Sequence, residues 1–286
     1  MQRQIVYLMS GAAHLHYLVP SLFTLREHCK EHVTVYAYPE SYDYVKRIAA
    51  DVRLGIEAKL YEPPVRYKKN DQFINKIKLM MSLQSEIAVY IDADTTFHGD
   101  IEYLFNVGDQ YGFAATQFCH WLSTGSVIRA RLQRLRDYPK INKEALENII
   151  KNPHPSPNGG IFSCNPSSPV LPLWLEWTLE AKDVFIADEA VLHVLQAHVP
   201  QSEFHVVLGG AYNCSHKYQG SLPEDQVHIH HYHGDSNVRP DKSPRAYAAW
   251  WPIYQRCIER NMGNIVEWRE SVRNKWLDKI LEVKHD

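Results

Sequence analysis

The stretch "IAVYIDADTTFHGDIEYLF", residues 87–105, decides how the chain is read. An apolar run over residues 88–91 ends abruptly in Asp92-Ala93-Asp94. A short continuous apolar run bounded by turn signals reads as a buried strand. Side chains at i and i+2 of an extended segment share a face, so Asp92 and Asp94 sit side by side where that strand stops. Two hard oxygen ligands so placed suit Mg²⁺ or Mn²⁺, with phosphates completing the shell. The same two residues also suit a polar strand end or an Asx turn.

Working outward, strands and helices alternate. "IVYLMSG" reads as a strand entering a loop, and "LVPSLFTLREHC" as a helix. "HVTVYAYP" reads as a strand, "SYDYVKRIAAD" and "FINKIKLMMSLQS" as helices, and "YGFAATQF" as another strand. This alternation predicts an α/β fold: a Rossmann-like mixed sheet flanked by helices. Ligands of such sheets bind beyond the carboxyl ends of the strands, the end at which Asp92 and Asp94 fall.

Residues 120–157 depart from the alternation. They are charged, helical in two pieces and broken by prolines, which predicts a helical insertion followed by a Pro-rich loop. Arg129, Arg131, Arg134 and Arg136 within it form either a solvated helix face or a patch for a polyanion. "NGGIFSCNP" then reads as a strand opened by two glycines. "VLPLWLEWTLEAKDV" and "ADEAVLHVLQAHV" read as helices, and "VHIHHYHGDSNVRPDK" as a strand running into a loop. Residues 244–284 read as two helices with Trp250, Trp251, Trp268 and Trp276 as packing anchors.

Bulk composition sets limits. The 286 residues are 45% hydrophobic and 22% charged, with 31 Lys and Arg against 33 Asp and Glu, a net charge of −2. That length carries a sizeable core, and the balance is not that of a protein built mainly to coat nucleic acid. The five cysteines are dispersed without a CxxC spacing, which speaks against a disulfide scaffold and for a reducing compartment. No run reaches about 18 apolar residues. A cytoplasmic protein without a membrane span is the expectation.

"FINKIKLMMSLQSEIAVYIDADTTFHGDIEYLF", with "IVYLMSGAAHLHYLVPSLFTLREH" before it and "NGGIFSCNP", "ADEAVLHVL" and "HYHGDSNVRP" after it, resembles the metal-dependent glycosyltransferases of the A-type fold, the family 8 group in particular. The resemblance covers about residues 4–242. It implies a catalytic domain over 1–243, including the insertion, with a helical extension over 244–286 packed on it. It implies a Mn²⁺ or Mg²⁺ ion held by Asp92, Asp94 and His231, with His233 the alternative third ligand. It places the donor, a nucleotide-diphosphate sugar of the UDP type, against Ser10, Gly11, Tyr17, Lys76, Asp92, Asn158, Gly159, Arg239 and Lys242. The family's "KPW" triplet is absent here and "VRPDK" stands in its place, which leaves Arg239 and Lys242 as alternatives. Asp188 falls on the family's acidic residue near the transferred sugar. Glu189 falls where many relatives carry Gln, and the pair is the expected catalytic one. The implied reaction is sugar transfer to an acceptor hydroxyl, with retention of configuration. The acceptor, a glycan or another hydroxyl-bearing molecule such as a modified DNA base, stays open. The competing readings are a nucleotidyltransferase, against which the absence of a Gly-rich basic loop after the first strand speaks, and a non-catalytic nucleotide-sugar-binding module.

His228, His230, His231 and His233 crowd six positions. In a strand, His231 and His233 share one face, and His228 and His230 the other. A separate zinc site on this cluster needs a further pair of ligands from elsewhere in the chain.

Overall fold

A computed structural model describes residues 2–216, 222–233, 238 and 240–272. In chain order, strand β1 (Arg3–Met9) leads to helix α1 (Leu15–His28), β2 (His32–Ala37), α2 (Pro39–Ala49) and β3 (Ile56–Leu60). Helix α3 (Asp71–Met81), β4 (Ile87–Ile91), β5 (Thr95–Phe97) and α4 (Glu102–Tyr111) follow. Then come β6 (Phe113–Leu122), α5 (Ser126–Arg134), α6 (Lys143–Lys151), β7 (Pro155–Cys164), α7 (Val170–Glu180) and α8 (Ala187–His198). Strands β8 (His205–Val207) and β9 (Ile229–His231) precede α9 (Pro244–Glu259) and α10 (Ile265–Trp268). The main sheet has seven strands in the order β3-β2-β1-β4-β7-β6-β8, and β5 and β9 form a small sheet of their own. The large sheet is mixed: β2 and β3 are parallel, β7 is antiparallel to both β4 and β6, and β6 is parallel to β8. The Rossmann-like mixed sheet with flanking helices that the sequence predicts is the fold of the chain.

By contacts the chain forms two compact units. One comprises residues 63–91 and 101–213 with the start of β1. Here β4 is buried at all five positions, as its unbroken apolar run requires of a strand covered on both faces. Phe113, Phe162 and Trp174 form an aromatic core, with ring centroids 5.1 Å apart for Phe162 and Trp174. The insertion is helical in two pieces, α5 and α6, as expected. Helix α6 is started by Asn142, whose side chain accepts from the Ala145 amide, and it buries Leu146, Ile149 and Ile150 at helical spacing.

Two details of this unit differ from the sequence reading. The Pro-rich loop is shorter than expected, because β7 already begins at Pro155. Proline cannot donate to a ladder, and the β6–β7 pairing is irregular at this point: its register shifts between Gln117, opposite Pro157, and Leu122, opposite Pro155. The arginine stretch is largely spent internally. Arg131 pairs with Glu189 at 2.8 Å, Arg136 pairs with Glu147 at 2.7 Å, and Arg129 donates to the Ile150 carbonyl.

The other unit comprises residues 6–62, 92–100 and the described residues from 214 onward. Parallel β2 and β3 lie here, with α1, α2, α9 and the β5–β9 pair. Tyr17 of α1 packs its ring 5.3 Å from Trp250 of α9, and His16 lies 5.5 Å from Trp268. Three of the four tryptophans expected as anchors are thus buried; Trp276 lies outside the described residues. Only a short second helix, α10, follows α9 among the described residues. The left-handed backbone of Asn261, Gly263 and Asn264 separates the two. No helix among the described residues is long and apolar enough to cross a membrane.

Candidate active site

Asp92-Ala93-Asp94 forms a bend between β4 and β5. Its carbonyls are fixed from below. The Thr95 hydroxyl donates to the Asp92 carbonyl at 3.0 Å, and a buried chain of hydroxyls from Tyr7 through Ser21 reaches Thr95. The Tyr232 amide donates to the Asp94 carbonyl at 2.8 Å. Strand β9 pairs antiparallel with β5, setting His231 opposite Thr95. The His231 amide is held in turn by the Cys214 carbonyl at 2.7 Å. This pairing carries the His231 ring to the bend. Its Nε2 lies 3.3 Å from Asp94 Oδ1 and 3.7 Å from Asp92 Oδ2.

The three residues offer one ligand atom each, all within 4.8 Å of one another. Exposure of the side chains falls from 31% at Asp92 through 13% at Asp94 to 3% at His231, so the group opens on the Asp92 side. Burial works to raise the Asp94 carboxyl. His231, with His233 and His14, outweighs it and holds the carboxyl well below the usual carboxylate range. Two carboxylates and an imidazole are a donor set that suits Mn²⁺, and in chemistry and spacing the residues fit a divalent ion. The His233 ring lies tilted against that of His231, with centroids 3.7 Å apart, and does not belong to the three-residue cluster.

A second group forms in the other unit. Lys76, from the middle of α3, meets Asp188, from the first turn of α8, at 2.7 Å, and both side chains are only 2% exposed. The Lys76 ammonium also donates to the Gly159 carbonyl at 2.7 Å and lies within 6 Å of the Phe73, Tyr90 and Trp174 ring centroids. A Cβ on Gly159 would lie 2.8 Å from Asp188 Oδ2 and 2.9 Å from Lys76 Nζ. The glycine is therefore what admits the ion pair. Asp188 Oδ2 is engaged, but buried Oδ1 has no hydrogen-bond partner.

Glu189, the next residue, is held separately. Oε1 accepts from Asn158 Nδ2 at 2.9 Å and Oε2 from Arg131 Nη1 at 2.8 Å. Asn158 is itself fixed, its Oδ1 accepting from the Gly160 amide and from Asn213 Nδ2. Burial pushes the Glu189 carboxyl up, against the opposing pull of Arg131 and Asn158. Adjacent residues on a helix point about 100° apart. Asp188 and Glu189 accordingly have different partners.

Of the residues singled out in the sequence, the structure thus gathers Asp92, Asp94 and His231 into one cluster, and Lys76, Asn158, Gly159, Asp188 and Glu189 into another. Tyr17 is instead a core residue against Trp250. Gly11 has an extended backbone, and a Cβ there would meet nothing within 4 Å. Ser10 follows the end of β1 at intermediate burial, and Lys242 is exposed in a turn. Arg239 lies outside the described residues. The sequence reading missed Arg131 and Asn213 as supports. Arg131 looked like one of four similar arginines, and Asn213 stands in "GGAYNCSH" with no local pattern to mark it.

No family model matches the chain, and no curated protein matches its sequence. Solved structures do match. The galactosyltransferase LgtC, determined with donor and acceptor sugar analogues, aligns with a TM-score of 0.59 at 15% identity, over 88% of this chain and 95% of that one. Mouse xyloside xylosyltransferase 1 aligns with a TM-score of 0.57 at 14% identity, over 83% and 99%. The glycosyltransferase GlyE of Streptococcus pneumoniae TIGR4 aligns with a TM-score of 0.58 at 15% identity, over 92% and 64%. The chain has the A-type glycosyltransferase fold.

Proposed function

We propose that the chain is a metal-dependent glycosyltransferase that moves a sugar from a UDP-type donor to an acceptor hydroxyl with retention of configuration. The observation that carries this is the convergence of His231 on Asp92 and Asp94, residues 137 or more positions apart in sequence, in a chain with this fold. Those three residues would hold Mn²⁺ or Mg²⁺, which would supply the positive charge that offsets a departing nucleoside diphosphate.

The remaining tasks fall to the chain's own side chains. Asp188 Oδ1, buried and unpartnered, is an acceptor for a hydroxyl of the transferred sugar. Lys76 fixes the orientation of Asp188 through Oδ2 and neutralises its charge. Glu189, anchored by Arg131 and Asn158, presents negative charge to the developing oxocarbenium-like centre or serves as nucleophile. Ser10 and Gly11, on the loop after β1, contribute backbone to the nucleoside, and Lys242 or Arg239 a cation to the diphosphate.

A thermal-shift series with Mn²⁺ and a panel of nucleotide sugars tests the donor and the metal together. The expected result is stabilisation by UDP or UDP-sugars that requires the metal. Equal stabilisation with and without the metal would contradict the proposal.

A further inference from the structure

Strand β9 presents its two consecutive histidines to opposite sides. His231 meets Asp92 and Asp94, while His230 meets a different set of residues. The His230 ring stacks on His216 with centroids 3.7 Å apart and planes 19° from parallel. His98 closes another side edge-on, its centroid 4.8 Å from that of His230. The His230 Nε2 lies 2.7 Å from Glu224 Oε1. His216, His230 and Glu224 each offer one ligand atom, all within 4.8 Å of one another. Both imidazoles are more than nine-tenths buried, yet His216 Nε2 has no hydrogen-bond partner. Buried polar atoms are normally paired, and orphaned ones call for an unseen ion or other partner.

We propose that His216, His230 and Glu224 form a second metal site, separate from the Asp92, Asp94 and His231 cluster, and that it takes Zn²⁺. Two imidazoles and one carboxylate are the donor set of many zinc centres, with water in the fourth position. Zinc bonds of about 2.0–2.2 Å place tetrahedral ligand atoms about 3–3.5 Å apart. Donors within 4.8 Å reach that spacing once the stacked His216 and His230 rings turn towards a common point. Divalent affinity for nitrogen ligands rises from Mn²⁺ to Zn²⁺, whereas Mg²⁺ prefers oxygen shells. The two clusters therefore sort their ions, the hard one to the carboxylate pair and the borderline one to the imidazole pair. Glu224, 59% exposed, gives an ion access from solvent. The site ties the short helical turn Glu224–Gln226 and the residues after Cys214 to β9, and so steadies the strand that presents His231. It does not depend on sugar transfer being the activity.

The test uses the untagged, metal-stripped full chain carrying Asp92→Asn and Asp94→Asn, so that the first cluster is disabled. Zinc is counted by elemental analysis after equilibrium dialysis, and Co²⁺ is added in parallel as a spectroscopic substitute. The expected result is one zinc per chain and the intense visible absorption of tetrahedral Co²⁺. Adding Glu224→Gln or, independently, His216→Ala weakens zinc binding at least tenfold and removes the Co²⁺ band. Because Glu224 is exposed, Glu224→Gln keeps the melting temperature of the metal-free parent, which separates ligand loss from misfolding. Absence of zinc in the parent, or one zinc retained by the Glu224→Gln chain, overturns the proposal.

Discussion

Gly159 shows how one absent side chain organises charged groups. Any Cβ there meets the Lys76–Asp188 pair at under 3 Å. Gly159→Ala is expected to cost about 1–3 kcal/mol by forcing the pair apart, measured as a lowered urea midpoint with unchanged slope. Lys76→Met removes one partner of a buried ion pair and leaves a carboxylate uncompensated. It is expected to destabilise the fold by about 3–5 kcal/mol, most of which a second substitution, Asp188→Asn, restores. If Lys76→Met alone were as stable as the parent, the pair would not be the buried ionic contact described. These residues were only partly legible in the sequence. "NGG" and the lysine before the DxD triplet were visible as motif pieces, but a helical lysine is ordinarily solvated. Nothing local showed that Lys76 turns inward to Asp188, 112 positions away.

At the scale of elements, most long periodic segments are readable, helix α4 and strand β3 being the exceptions. Helices α1, α2, α3, α7 and α8 and strands β1, β2, β4 and β6 follow their apolar patterns. Strands β5 and β8 have three residues each, too few for a period to show, whereas β9, equally short, lies within the stretch "VHIHHYHGDSNVRPDK" that reads as a strand. The sequence did mark "HIHHYH" as chemically loaded, but the pairing of β9 with β5 is long-range. That pairing, rather than the pattern, decides that His231 and not His233 joins the two aspartates.

Helix α8 carries a further consequence. His193 is buried, with Ser156 Oγ 3.1 Å from its Nε2. Burial, aided by Arg131 and His154, pushes its pKa down to about 3. A depressed histidine contributes stability that is complete above the unfolded value near 6.5 and is lost as pH falls towards 3, each unit being worth about 1.4 kcal/mol. His193→Gln is therefore expected to flatten the loss of stability between pH 7 and 4, measured by denaturant unfolding at each pH. A profile as steep as the parent's would remove His193 from the acid response.

For the whole molecule, the fold was legible because the alternation of elements and the order of the motifs agree, and the sheet bears them out. Likeness to solved glycosyltransferases at 13–16% identity establishes that fold and leaves the chemistry to the residues. The sequence could not say what lies behind each functional side chain: the hydroxyl chain under Asp92, the Asn213 and Arg131 supports of the Asn158–Glu189 contact, and the burial of Tyr17. These depend on contacts between distant segments that no local pattern encodes.

In the proposed reaction the two aspartates and His231 would hold an ion required for release of a nucleoside diphosphate. The direct measurement is the rate of UDP release from UDP-sugars by the parent chain, Asp92→Asn and Asp94→Asn, each with Mn²⁺ and with a chelator. Turnover by the parent is expected to need Mn²⁺, and either substitution to lower it by about 100-fold or more while the melting temperature of the metal-free chain stays within a few degrees. Undiminished UDP release by Asp94→Asn, or by the parent in the chelator, would contradict it.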